Sequence, residues 1–252
     1  VLIGIDIDTS ELLLADWLRK NGKPVDLVIS HHPSGRALAG LHDVISMQAE
    51  IFGNLGVPIN VAESLMDERV GDVQKRLLAL NHTKTVDAAR LLDIPYMCLH
   101  TPGDNCVVKF LQDLVDQKKP RKISDLIKLL KTIPEYRKSA EVNRPPKIVA
   151  GKPDRSCGRI MVDMTGGTEC PDKLFKSMAV AGINTLLGMH YSSDHLKAAA
   201  DEHLNVVIAG HISSDVLGLN LLFDTIFNNE DIKIFECSGF SRISRLKDAK
   251  RS

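Results

Sequence analysis

Four apolar runs in this 252-residue chain end in histidine. Leu27-Val28-Ile29-Ser30 runs into His31-His32-Pro33, Pro95-Tyr96-Met97-Cys98-Leu99 into His100, Thr185-Leu186-Leu187-Gly188-Met189 into His190, and Val206-Val207-Ile208-Ala209 into Gly210-His211. Three of these histidines have an aspartate four residues on: Asp104, Asp194 and Asp215. Residues four apart at the opening of a helix share a face, so His211 and Asp215 can reach one ion or two neighbouring ions. Neutral imidazole and carboxylate without thiolate suit zinc, iron or manganese better than calcium or a sulfur cluster. Metal-free acid–base pairing is a second reading. It ranks lower because many protonated imidazoles at one sheet edge would repel one another, whereas a cation needs them neutral. A lone His-His pair is more often structural, and the recurrence is what argues for a site.

The elements that deliver these side chains read as βαβ units. An apolar run closed by Pro33, which cannot continue a ladder, is a buried parallel strand whose histidines sit at its exit, where open α/β sheets place ligands. Adjacent residues within a strand point to opposite faces, so His31 and His32 serve one site only where the backbone leaves the sheet. The pattern predicts strands at 2–5, 27–30, 57–61, 95–99, 159–164, 185–189, 206–209 and near 232–235. Helices are predicted at 10–20, 41–55, 63–80, 86–92, 107–116, 124–130, 171–181, 194–203 and 212–227. Gly56 closes the second of these helices. Turn-forming Pro and Gly break the pattern between 131 and 157. The expectation is an α/β fold of two halves, 1–130 and 158–252, joined by a connector at 131–157, with mainly parallel or mixed sheets and the site in the cleft between them.

Composition narrows the function classes. Lys+Arg 32 balances Asp+Glu 32, so no global field draws in nucleic acid or an anionic membrane. The basic run at 118–122 and the basic tail therefore read as solvated surface. With aromatics at 4%, base-stacking platforms are disfavoured. No apolar stretch approaches the roughly 18 residues that span a bilayer, and no signal-peptide pattern opens the chain. Cys98, Cys106, Cys157, Cys170 and Cys237 are odd in number and form no Cys-x-x-Cys clip, which fits a reducing, cytoplasmic setting. Cys98 reads as core. The turn Thr165-Gly166-Gly167-Thr168 is a weak phosphate-cradle candidate without P-loop spacing, and His42, His82, His195 and His203 read as packing or surface residues.

Together the opening Val1-Leu2-Ile3-Gly4-Ile5-Asp6, the Asp26 to Pro33 stretch, His100-Thr101-Pro102-Gly103-Asp104 and Ala209-Gly210-His211 with an acid at plus four resemble the NGG-interacting-factor-three-like family. Bacterial members often carry the label GTP cyclohydrolase I type two homolog. The matches span nearly the whole chain, which resembles a divergent short member without the domain that longer members insert between the halves. The resemblance implies a dinuclear site of two divalent ions, zinc, iron or manganese, with His31, His32, Asp104 and His211 as ligands and Asp215 in the place of a glutamate. Aspartate is one methylene shorter, so the helix start must sit closer, and Asp215→Glu would then raise occupancy. His190 stands where a carboxylate is expected and is a ligand or supporting group. Asp6, Asp8 and His100 are candidate orienting groups. The resemblance also implies homo-oligomeric rings built from dimers, often hexamers.

The expected function is metal-dependent hydrolysis of a nucleotide or other small phosphate ester. The alternative is a non-catalytic metal-binding oligomeric adaptor or regulatory protein.

Overall fold

The computed structural model describes residues 1–227, 230 and 232–246, and the basic tail expected beyond 246 lies outside them. The chain runs β1 (Leu2–Gly4), α1 (Thr9–Lys20), β2 (Val28–Ser30), α2 (Gly35–Ala39), α3 (Leu41–Ile45), α4 (Met47–Leu55), α5 (Ile59–Leu78), α6 (Lys84–Leu91) and β3 (Tyr96–Cys98). It continues through α7 (His100–Lys118), α8 (Ile123–Leu130), α9 (Pro134–Glu141), β4 (Lys147–Ala150), β5 (Arg159–Asp163), α10 (Leu174–Val180), β6 (Ile183–Gly188), α11 (Ser193–Asp201), β7 (Asn205–Ile208), α12 (His211–Phe227) and β8 (Phe235–Glu236). This is the expected α/β class with two sheets. The first, in the order β3-β2-β1-β8, is parallel throughout. The second, β4-β7-β6-β5, is mixed because β4 pairs antiparallel with β7.

Helices cover both faces of both sheets, which is why the strands are continuous apolar runs rather than alternating ones. In the first sheet Leu2 and Val28 face α1 and α6, while Ile3 and Ile29 face α12. In the second, Met161, Leu186 and Val206 pack with Phe52 of α4, Met66 of α5 and Phe175 of α10. Its other face, through Val162, Leu187 and Val207, meets Val107 and Leu111 of α7, Leu126 of α8 and Leu217 of α12. Since Val216, Leu219 and Phe223 of α12 belong to the first sheet's core, that one helix lies between the two sheets.

Several expectations change. Residues 57–61 form no strand: Pro58 caps α5, and the β-branched Val57, Ile59 and Val61 that mimic strand composition serve as a hydrophobic entry to that helix. The closing strand is Phe235–Glu236 rather than 232–235. The segment 131–157 is not bare connector, for it carries α9 and the edge strand β4. The spatial halves are also interleaved along the chain, since α4, α5 and α7 pack on the second sheet and β8 returns to β1.

Candidate metal centre

Three chain windows meet where the strands end. Beyond β2 the His31 and His32 amides still donate to Gly4 O and Ile5 O, at 3.0 Å each, so the pair leaves the sheet while anchored to the β1 side. After β3, His100 opens α7 directly. The Pro102-Gly103 pair that reads as a turn sits in the first helical turn, where an amide has no intrahelical partner and proline costs nothing. After β7, Gly210 at φ +118° makes the bend that lets His211 begin α12. Asp104 and Asp215 then project from the first turns of two helices that touch through glycines. A Cβ on Gly218 would lie 2.4 Å from Gly103 O, and one on Gly103 would lie 3.3 Å from the His31 ring.

Asp215 is the centre of the arrangement. Its Oδ1 lies 3.5 Å from His31 Nε2, and its Oδ2 lies 3.6 Å from both His32 Nε2 and His211 Nε2. Asp104 Oδ1 is 3.4 Å from His31 Nε2, and its Oδ2 is 3.4 Å from His100 Nδ1. These separations are too long for hydrogen bonds. They match the edge of a shared coordination shell, since ligand atoms about 2.0–2.1 Å from an ion at tetrahedral angles stand about 3.4 Å apart. His31, Asp104 and Asp215 form one such group and His32, His211 and Asp215 another, while His31, His32 and His100 also converge. Both Asp215 oxygens, Asp104 Oδ1, both ring nitrogens of His31 and His100 Nδ1 are buried with no hydrogen-bond partner. So many orphaned buried atoms of complementary type fit a donor set built for cations.

The electrostatics agree. Burial, then the neighbouring His32, pushes His31 down to about 3. Burial is also the leading cause that takes His100 down to about 4, and His211 to about 4 with help from His190. Burial raises Asp104 to about 6 and lifts Asp215 well above the carboxylate range, with Asp104 adding to it. The rings of His31, His100 and His211 are thus held neutral, as ligands must be, and burial favours on both acids, most on Asp215, a proton that a cation would displace. His32 is oriented by Asp6, whose Oδ1 lies 2.6 Å from His32 Nδ1, leaving Nε2 to face Asp215.

The structure brings His31, His32, Asp104, His211 and Asp215 into one cluster. His100, expected only to orient others, sits among them. Asp8 does not reach the cluster: it caps α1 and pairs with Lys84. Asp194 is exposed on α11. His190 lies beside His211, the rings tilted at 58° with centroids 4.8 Å apart, and its Nδ1 is 3.9 Å from Glu169. Glu169 and Asp163 were invisible to motif reading because neither stands at a fixed spacing from a histidine, yet both line the small cavity over Asp104 and Asp215. The Thr165–Thr168 turn walls the same cavity, pinned by Gln48 Nε2 donating to Thr165 O and Thr168 O. No helix follows it directly, as α10 starts at Leu174, so the phosphate-cradle expectation loses its helix terminus. His195 is structural, bonded to Ser192 and Cys170 O.

No family model and no curated protein matches the chain. Among solved structures it is similar to a NIF3 superfamily protein from Sphaerobacter thermophilus, at 28% identity and a TM-score of 0.81, over 95% of this chain and 86% of that one. Reduced HcgD from Methanocaldococcus jannaschii shares the fold at 18% identity and a TM-score of 0.58, over 93% of this chain and 81% of that one. Fold and site define an α/β protein of two sheets with a His/Asp cluster able to hold metal at their junction. The likeness to the NIF3 superfamily structure supports the resemblance to the NIF3-like family.

Proposed function

We propose that this chain is a dinuclear metal-dependent hydrolase acting on a nucleotide or another small phosphate ester. The observation that carries the reading is Asp215, whose two oxygens are buried, unpartnered and turned toward different histidines. In this reading His31, Asp104 and Asp215 Oδ1 hold one divalent ion, with His100 beside them. His32, His211 and Asp215 Oδ2 hold the other, and zinc, iron and manganese all suit the donors. Ions so held would supply an activated water and polarise a phosphoryl oxygen. The protein's own part is to fix the donors and shape the opening. Asp6 holds the His32 ring in place, and Gly103 and Gly218 bring the two carboxylates together. The Thr165–Thr168 turn narrows the approach to about 50 Å³. His190, 51% exposed at the side chain beside His211 and Glu169, stands where protons can pass between solvent and the centre.

The second reading, a metal-binding oligomeric adaptor without turnover, is favoured by Leu13, Leu14 and Trp17, which stand exposed together on α1. A homo-oligomer built from dimers, hexameric in the fullest form, would cover such a face. All five cysteines are free, which suits a cytoplasmic setting, and no helix among the described residues is long and apolar enough to cross a membrane. The test is metal analysis of the purified protein, then assay against nucleotides and phosphate esters with and without chelator. Chelator-sensitive turnover is expected. Bound metal with no turnover across the panel would favour the adaptor.

A further inference from the structure

Two larger cavities flank the cluster, and their charges are opposite. On the His32 side a space of about 460 Å³ is lined by Asp6, Asp8 and Glu11, with Lys84 already paired to Asp8. On the His211 side a space of about 390 Å³ lies between α9, the first turn of α12 and the segment after β8. The second space falls in the range of small-molecule sites and has their composition, apolar walls with a few polar groups. Val142, Ile212 and Val216 supply the walls, and His211 is shared with the cavity over Asp215.

The charges at its rim are all of one sign. Lys138 and Arg144 line it, and among the described residues neither pairs with a carboxylate. The one acid in the wall, Glu135, is neutralised, since both of its oxygens accept from the Arg245 guanidinium at 2.9 and 2.7 Å. Val142 stands 67% exposed at this rim, an apolar side chain turned largely to solvent. An acidic ligand is attracted here and repelled on the His32 side.

We infer that the cavity bounded by Lys138, Val142, Arg144 and His211 binds a small organic anion with an apolar body, its acidic group on the two cations and its body against Val142, Ile212 and Val216. Resting on the proposed metal centre, this cavity is that centre's substrate-side pocket, and the substrate class is an aryl or nucleoside phosphate rather than a cationic or neutral molecule. The pocket also sets a direction of entry, past His211 and not past His32.

The probe is 1-naphthylphosphonate, whose P–C bond is not a hydrolysable ester, titrated into metal-free and metal-loaded protein by its own fluorescence, with metal content measured on each sample. Three variants are compared: Lys138→Ala/Arg144→Ala removes the cations, Val142→Trp fills the space from an exposed position, and Lys84→Ala alters the other cavity. Binding should weaken about tenfold or more in the first two, from loss of charge-assisted bonds and of volume, and stay unchanged in the third. Wild-type affinity in both of the first two, absence of binding in wild type, or loss confined to Lys84→Ala would each overturn the pocket. If metal is retained while probe binding ignores the first two variants, the pocket fails and the metal centre stands. If the protein holds no metal but the variants still weaken probe binding, the pocket stands and the metal centre fails.

Discussion

Asp215 is where both ligand groups converge, at 3.5 Å from His31 and 3.6 Å from His32 and His211. The sequence alone suggested that its shortness left a gap that glutamate would close. Its side chain is fully enclosed and already reaches all three rings, so a further methylene has no room without pushing an imidazole away. Asp215→Glu is therefore expected to hold no more metal than wild type, and Asp215→Asn, which keeps the shape and loses the charge, to hold less of both ions. Elemental analysis of the purified variants checks this. The protonation pattern makes a second prediction at this scale. With His31, His100 and His211 lying at about 3 to 4, those three rings have no protons to release on metal loading at pH 7, whereas Asp215, raised well above the carboxylate range, does. As pH falls through about 6, Asp104 takes up a proton that loading must expel, so apparent affinity falls and proton release per chain rises. Calorimetry in buffers of different ionisation enthalpy should find that increment in wild type and lose it in Asp104→Asn. Persistence of the increment in that variant would assign it to imidazoles.

At the scale of elements, the site depends on how closely α7 and α12 approach. The two carboxylates come together because Gly103 and Gly218 let the backbones touch. Gly218→Ala, with its Cβ 2.4 Å from Gly103 O, should cost about 1–3 kcal/mol and metal as well. Gly71→Ala in α5 meets nothing within 4 Å and should stabilise by about 0.5–1 kcal/mol through helix propensity. Thermal unfolding and metal content on both variants separate close packing from a general effect of glycine loss.

The same elements show why only part of the arrangement could be read in advance. Strand exits are visible because buried parallel strands are compact apolar runs and histidine interrupts them sharply, so His31, His32, His100, His190 and His211 stand out, whereas the narrower set of 31, 32, 104, 211 and 215 comes from the resemblance to a known family. His100 was undervalued because Pro102-Gly103 carries turn chemistry, and only the tertiary setting shows those residues to be a first helical turn. Val57 to Val61 misled through side chains that suit a strand as well as they suit the start of α5. The edge strand β4 escaped notice because Arg144-Pro145-Pro146 and Gly151 frame it with loop signals. Glu169 and Asp163 could not be found from spacing at all, since they arrive by packing.

For the whole molecule, the site lies across the two sheets. His31, His32 and the start of α7 follow strands of the first sheet, while His211 and Asp215 follow β7 of the second. Ions bound there would clasp both cores at once and, binding only the folded chain, would stabilise it by about 2.7 kcal/mol per site at a free concentration a hundredfold above Kd. Chelation should accordingly lower Tm, and hydrogen exchange should quicken together in β2 and β7. Quickening in one sheet alone would mean that the cluster belongs to a single half.

The order of the three donor windows has a consequence for synthesis. A ribosome delivers His31, His32 and Asp104 long before His211 and Asp215, and the carboxylate that completes both donor groups is the last to emerge. A product stopped before α12 would carry His31, His32, His100 and Asp104 but neither of the Asp215 oxygens that link the other two donor groups. Ions that need both Asp215 oxygens would therefore be captured only once α12 has been made.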